Sequence, residues 1–408
     1  MYTGSRRFLA PLALAAVLSS PAFAQYQGLD WLTMSDAEFA ETFADMAFEG
    51  SLEQRQIVAW LFFARLNQQI AGDARVDMGT GTVPLWMAWA TDPETFTENP
   101  NFKYTETPRE NPHFVTRKDV LAGHISTTAS EGVPNGGDEE VTRNEVGFRY
   151  IVDSGLNTYQ GVLDYIRAGK KVEMPIGSVE TKMKWIGVNA RQPAPEDAMV
   201  FEFENDAKQN VRYWWGGMHI MVKMRPTPDD VFTSEQPSWF WTTFEFTDNL
   251  GVSDIREKFI TQNVPIGDDQ VQKILTTAGI EGIGLENYSP NGTQIRFTVD
   301  GNGKDSVILG HSMMEDFAGY PDNADPTKWI TDSSSCHTCH ATASINPATG
   351  NYFPFTVPVG PLTLLYSATG TTTQACNSFA TVLGDGYVSL DFMWPIAFQA
   401  TPYKCSSN

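Results

Sequence analysis

Four runs of aromatic and β-branched residues between positions 177 and 248 constrain the fold of this chain most strongly. They read GSVETKMKWIGV, AMVFEFEN, VRYWWGGMHIMVKMR and SWFWTTFEFTD, and Pro, Asp and Asn residues bound them. Such runs are typical of β-strands separated by turns. In GGMHIMVKM, the alternation of a strand places His219 and Met221 on one face and Met218 and Met224 on the other. We therefore predict a large antiparallel sheet in the middle of the chain.

Helix signals dominate the region before these strands. Ser35 and Ser51 are each followed within three residues by Glu or Gln, which is typical of the first turn of a helix. Apolar residues from Ile57 to Leu66 are dense enough to predict a mostly buried helix. A further helix is predicted over residues 158–168, ending at Gly169. Helices before and beside an antiparallel sheet indicate the α+β class.

The N-terminal sequence has the features of a secretory signal peptide. Arg6 and Arg7 precede an apolar stretch over residues 8–18, and Ala22-Phe23-Ala24 is a small-x-small cleavage pattern. The apolar stretch is shorter than the roughly 20 residues that span a bilayer, so cleavage after Ala24 is favoured over an N-terminal anchor. We predict an exported protein, periplasmic or otherwise, with no membrane span after cleavage.

Local composition suggests four segments. They are a signal peptide over 1–24, a helical N-terminal region over 25–130, a β-rich region over 131–325 and a C-terminal cofactor-binding segment over 326–408. The stretch ASEGVPNGGDEE is predicted to be an exposed loop, and a hairpin turn is expected near residues 300–304.

The charge balance limits the partners. The net charge is −21, and losing Arg6 and Arg7 would make it more negative by two. Nucleic-acid binding needs clustered Lys and Arg, so we predict no nucleic-acid partner. An acidic surface instead suits a partner protein with a basic docking face, although it also serves solubility.

The motif CHTCH carries the clearest chemistry. Cys336 and Cys339 are three residues apart, and His340 follows the second cysteine. C-x-x-C-H is the attachment pattern of a c-type haem: two thiols form thioethers, and the histidine is the proximal iron ligand. A zinc site completed by Cys376 or Cys405, or a redox dithiol, is an alternative. His337, within the motif, is predicted to face solvent.

At this motif the chain resembles the c-type cytochromes. The resemblance implies one covalent haem c held by Cys336 and Cys339, with His340 on the iron. The stretches AWLFFARLN, GSVETKMKW, PSWFWTTFEFTDN and DFMWPI also look like those of a group of exported bacterial single-haem cytochrome-like proteins. That wider resemblance spans most of the mature chain but implies architecture rather than a particular activity.

The second axial ligand of the iron would decide the function. Met393 follows the motif by several tens of residues, a spacing typical of small cytochromes c, so it is the predicted ligand. The alternatives are Met313, Met314 or His311 in GHSMMEDF, a residue of GGMHIMVKM, or an open position. A core position is the other explanation for Met393.

The remaining cysteines, Cys376 and Cys405, are predicted to form a disulfide that stabilises the C-terminal segment, with unpaired thiols or metal ligation as alternatives.

These features favour an exported monohaem cytochrome that transfers electrons to or from a redox partner. A haem-dependent oxidoreductase is the first alternative; it would act on a small-molecule substrate at an open distal site, helped by His311, Glu315 or His219. A haem-based sensor or binding protein is the second.

Overall fold

A computed structural model describes most of the chain before the motif and the immediate surroundings of the motif. The described residues are 26, 29–71, 76–77, 81–104, 138–190, 193–204, 210–225, 239–247, 265–295, 309–314, 320–321, 329–330, 336–341, 343–352, 386–398 and 400. The predicted signal peptide, the hairpin turn near residues 300–304, Glu315, Cys376 and Cys405 lie outside these residues.

Three consecutive helices form the N-terminal part: α1 (Asp36–Thr42), α2 (Ala44–Phe48) and α3 (Leu52–Leu66). The predicted helix starts at Ser35 and Ser51 are confirmed. Each serine accepts a backbone N–H three residues on, and the side chain of that third residue accepts the N–H of the serine. Helix α3 is buried on all sides from Gln56 to Leu66, as the dense apolar pattern predicted.

Most of the other helices are short. They are α4 (Asp92–Thr95), α5 (Glu145–Asp153), α6 (Tyr159–Arg167), α7 (Asp268–Thr277), α8 (Cys336–Ala341) and α9 (Trp394–Phe398), with 3-10 turns at Leu85–Ala88 and Leu285–Asn287. The predicted helix is α6, which is capped by Thr158 and followed by Gly169 at a φ of 76°. Helices α5 and α7 were not predicted from the sequence.

One antiparallel sheet forms the centre of the molecule. Its strands are β2 (Val76–Asp77), β4 (Ala90–Thr91), β5 (Asp138–Arg143), β6 (Val179–Gly187), β7 (Val200–Glu204), β8 (Asn210–Lys223), β9 (Trp239–Phe246) and β10 (Tyr288–Gln294). The order is β10-β9-β8-β6-β5-β4, and β7 pairs with β8 and β2. Strands β6 to β9 are the four predicted runs. The sheet together with the helices confirms the α+β class.

Among the described residues, short strands form three two-stranded pairs outside this sheet: β1 (Gln69–Ala71) with β3 (Thr82–Pro84), β11 (Tyr320–Pro321) with β12 (Trp329–Ile330), and β13 (Ser344–Ile345) with β14 (Val388–Ser389).

Two strands differ from the sequence expectation. The last three residues of the predicted loop ASEGVPNGGDEE begin β5, because their backbone pairs with β6. The sequence YSPNGTQ forms β10 although Pro290 and Gly292 are turn residues. This strand lies at the edge of the sheet, where a missing N–H is tolerated, and its register shifts between these two residues.

The sheet has two chemically different faces. The helix face carries Met218, Ile220 and Phe244 and packs on α3, where the Phe63 and Phe244 ring centroids lie 3.9 Å apart. The motif face carries Met221, Trp239 and Trp241 and packs with Cys336. The predicted alternation in β8 is therefore confirmed.

Strands from the predicted helical N-terminal region (25–130) enter the same sheet as strands from the predicted β-rich region (131–325). Strand β2 pairs with β7, and β4 pairs with β5. Among the described residues, no helix is long and apolar enough to span a membrane.

Candidate functional site

Helix α8 consists of the CHTCH motif and the alanine that follows it. Its first residue, Cys336, is buried, and both its backbone N–H and its thiol donate to the Leu309 carbonyl, at 3.0 and 3.2 Å. The Cys336 Sγ also lies 3.9 Å from Nδ1 of His219 on β8. The motif is thus anchored on the motif face at its first cysteine.

His340 is held in one orientation from its Nδ1 side. Its Nδ1–H donates to the Phe392 carbonyl at 2.9 Å, and its ring lies 4.6 Å from the Trp241 ring, centroid to centroid. Because a carbonyl only accepts, the hydrogen bond places the proton on Nδ1. Nε2 is then the nitrogen that can bind a metal, which is the usual arrangement of a ligating histidine.

His337 is buried, so the prediction that it faces solvent is wrong. Its backbone N–H donates to Gln294 Oε1 at 3.0 Å, which turns the residue toward β10, and its ring lies 4.8 Å from that of Phe392. Burial, together with the neighbouring His340, lowers the pKa of His337 to about 3. His337 is therefore neutral and part of the packing between the motif and the sheet.

Two more histidines lie near Cys336: His219 on β8, and His311 beside it. His219 Nδ1 lies 2.7 Å from Thr243 Oγ1, its cross-strand neighbour on β9, and its ring lies 5.9 Å from that of His311. The His311 Nε2 lies 3.2 Å from the Gly216 carbonyl. Of the six histidines in the sequence, two are in the motif, His219 lies next to it and His311 lies next to His219, while His113 and His124 lie outside the described residues.

Glu245 extends this polar cluster. Its carboxylate accepts hydrogen bonds from Asn291 Nδ2 at 2.7 Å, from the Ser312 N–H at 3.1 Å and from the Ser312 hydroxyl, and it lies 4.0 Å from His311 Nδ1. Burial opposes its ionisation, but His311 and these hydrogen bonds keep its pKa below the ordinary value. A fully buried carboxylate is thus stabilised as the anion.

Gly217 makes this close packing feasible. Its φ is 135°, and a β-carbon would lie 2.2 Å from the Phe244 carbonyl and 2.7 Å from His311 Nε2. Only glycine fits where β8, β9 and His311 come together.

The predicted ligand Met393 is buried in the same apolar cluster as Cys336 and Trp241. It directly follows Phe392, whose carbonyl lies on the Nδ1 side of His340. Met313 instead packs in the helix-face cluster, next to Gly216. The predicted role of Met393 as an iron ligand stays a prediction.

Trp241 supplies a buried donor beside His340. It is 2% exposed, and its indole N–H has no hydrogen-bond partner among the described residues. Such groups are rare in native proteins and need an acceptor.

The described residues contain no group of three or more His, Cys, Asp or Glu that could hold a metal ion. The side chain of Cys339 is outside the described part of the site.

Sequence reasoning found Cys336, His340, His219 and His311 but not their supports. The residues missed are Trp241, Gln294, Phe392, Asp391 and Lys223. Strand alternation offered one usable signal, since Lys223 shares a face with His219 and Met221.

No family model matches the chain, and neither the curated proteins nor the solved structures contain a match.

Proposed function

We propose that this protein is an exported monohaem c-type cytochrome that acts in electron transfer. Haem c would be bound covalently through Cys336 and Cys339, with His340 as the proximal iron ligand. The observation that carries the proposal is the hydrogen bond from His340 Nδ1 to the Phe392 carbonyl. It fixes the tautomer in which Nε2 is the metal-binding nitrogen, in a motif whose spacing is that of haem attachment.

The side chains around the motif suit such a cofactor. The Cys336 thiol supplies one thioether, and the Trp241 indole N–H is a buried donor for an acceptor such as a haem carboxylate. Bound haem supplies a one-electron iron couple whose potential depends on the axial ligands and on burial. The chain's part is to orient His340, to exclude water with Trp241 and Phe392, and to leave His337 neutral.

The acidic composition supports electron exchange with another protein. A net charge of −21 favours association with a basic docking face and disfavours nucleic acid. We propose that the partner is a redox protein with such a face.

The test is covalent haem in the protein produced with a cytochrome c maturation system. We expect a haem-stained band after denaturation in the wild type, and loss of the band in the double variant Cys336→Ala, Cys339→Ala. The matched control is the double variant Cys376→Ser, Cys405→Ser, which removes the same number of cysteines and should keep the haem. A wild-type chain without covalent haem refutes the proposal.

Met393→Ala tests the identity of the second axial ligand of the iron in the same preparations. If Met393 binds the iron, the variant loses the Met-to-iron charge-transfer band. An unchanged band removes Met393 from consideration.

A haem-dependent oxidoreductase is a second candidate, favoured by the position of His219. This imidazole lies 3.9 Å from the Cys336 Sγ, which would place an acid–base group near the haem edge. CO binding to the reduced protein separates the two functions. A low-spin spectrum that CO does not change supports electron transfer, and ready CO binding supports the enzyme with an open distal site.

A further inference from the structure

A strained turn holds the carbonyl that binds His340. Asp391 and Phe392 have φ values of 50° and 68°, and they are the non-glycine residues with positive φ among those that the structure describes. Such a conformation is unfavourable for a residue with a side chain and persists only where the surroundings fix it. The strain lies directly at the residue whose carbonyl accepts the Nδ1–H of His340.

The surroundings fix this turn through the Asp391 carboxylate. Lys223 Nζ, at the end of β8, lies 3.0 Å from both carboxylate oxygens, and Trp239 Nε1, at the start of β9, donates at 3.1 Å. The Met174 backbone N–H donates at 2.6 Å. Lys223 and Asp391 are both buried, so this ion pair is little screened by solvent.

These contacts connect the sheet to Nδ1 of His340, the ring nitrogen opposite the one that can bind a metal. The sheet fixes Asp391, the next residue is Phe392, and the Phe392 carbonyl lies 2.9 Å from His340 Nδ1. A hydrogen bond from the remote nitrogen raises the basicity of a ligating imidazole, and a more basic ligand stabilises oxidised iron.

We infer that Asp391, held by Lys223, is a positioning residue that fixes the Phe392 carbonyl on His340 and thereby lowers the reduction potential of the bound haem. This inference rests on the proposed haem site. Neither residue touches the iron ligand itself; both act through the backbone of the turn.

The test compares the reduction potentials of Asp391→Asn and Lys223→Met with that of the wild type. If the ion pair positions the turn, both variants weaken the hydrogen bond, and both raise the potential. We expect about a tenfold change in the reduction equilibrium, which is about 59 mV for a one-electron couple.

A purely electrostatic effect has a different signature. Loss of the Asp391 charge would raise the potential, whereas loss of the Lys223 charge would lower it. A lowered or unchanged potential in Lys223→Met overturns the inference.

Two controls complete the design. Lys223→Arg keeps the ion pair and should retain the wild-type potential. Asp36→Asn removes a carboxylate from the ion pair with Arg65 in the N-terminal helices and should also leave the potential unchanged. An equal shift in Asp36→Asn would contradict a specific role for Asp391.

The wild type gives a measurement that does not depend on the folding of any variant. The His340 Nδ1 proton should exchange slowly with D₂O in its NMR spectrum, because the turn holds its acceptor in place. Rapid exchange overturns the inference. Covalent haem with an unchanged potential in both Asp391→Asn and Lys223→Met refutes the positioning role alone, whereas absence of covalent haem in the wild type refutes the proposed function as well.

Discussion

At the scale of single residues, Arg143 shows how burial changes the chemistry of its partners. It is buried at the end of β5, where it binds Asp92 and lies 3.2 Å from Glu180 Oε2. Burial raises the pKa of Glu180 to about 7, against the attraction of Arg143 and with a further contribution from Asp92. Two carboxylates that share one guanidinium are not both easily ionised.

This pKa makes stability depend on pH. Because the folded-state pKa of Glu180 lies above its ordinary value of 4.5, the native protein binds a proton at intermediate pH that the unfolded chain has released. The contribution of Glu180 to the free energy of unfolding is therefore fully present below about pH 4.5 and is lost as pH rises through about 7. Glu180→Gln should reduce the loss of unfolding free energy between about pH 5 and pH 7.5, measured by denaturant unfolding. The exposed Glu173→Gln is the control; if it changes the pH dependence equally, Glu180 is not the source.

The sequence predicted the motif residues but not what supports them. Cys336 and His340 follow from a spacing that haem attachment requires. The turn at Asp391 and Phe392 could not be predicted locally, because a bulky residue such as Phe rarely adopts a positive φ, and here contacts of Asp391 with Lys223 and Trp239 maintain it. The burial of His337 could not be predicted, because it depends on contact with Gln294, a residue distant in sequence.

At the scale of elements, α3 was predictable and its packing partner was not. A helix that is apolar on all sides must be buried, and α3 lies on the helix face of the sheet. Its Phe63 ring stacks on Phe244 and lies 6.2 Å from the Trp215 ring. Strand order depends on pairings between distant segments, such as β4 with β5, which local patterns do not encode.

Phe63→Ala should therefore destabilise the protein strongly without changing the site. Removal of a buried phenyl ring costs about 3–5 kcal/mol, because it leaves a cavity. Leu52→Ala, at the exposed start of the same helix, should change the unfolding free energy by less than about 0.5 kcal/mol. Denaturant unfolding measures both. An altered haem spectrum in folded Phe63→Ala would contradict the separation of the two faces.

At the scale of the whole molecule, the long sequence before the motif builds the surface on which the motif rests. Strands β8 and β9 supply His219, Lys223, Trp239 and Trp241 to one face, and the N-terminal helices cover the other. The motif helix has only six residues, and it contacts Trp241 and His219 of this sheet as well as Leu309 and Phe392. The sheet thus gives the candidate haem site a rigid side that the local sequence of the motif cannot provide.

Neighbouring residues of β9 offer a direct test of this division, because Trp241 faces the motif and Phe240 faces the helices. Trp241→Leu removes the ring next to His340 and the buried indole N–H, and admits water to the site. Water stabilises the more highly charged oxidised iron, so the reduction potential should fall, by about 59 mV for a tenfold effect.

Phe240→Leu should cost about 1–3 kcal/mol of unfolding free energy and leave the potential unchanged. Voltammetry and denaturant unfolding of both variants provide the comparison. Equal shifts in potential would mean that the two faces of the sheet do not separate stability from redox chemistry.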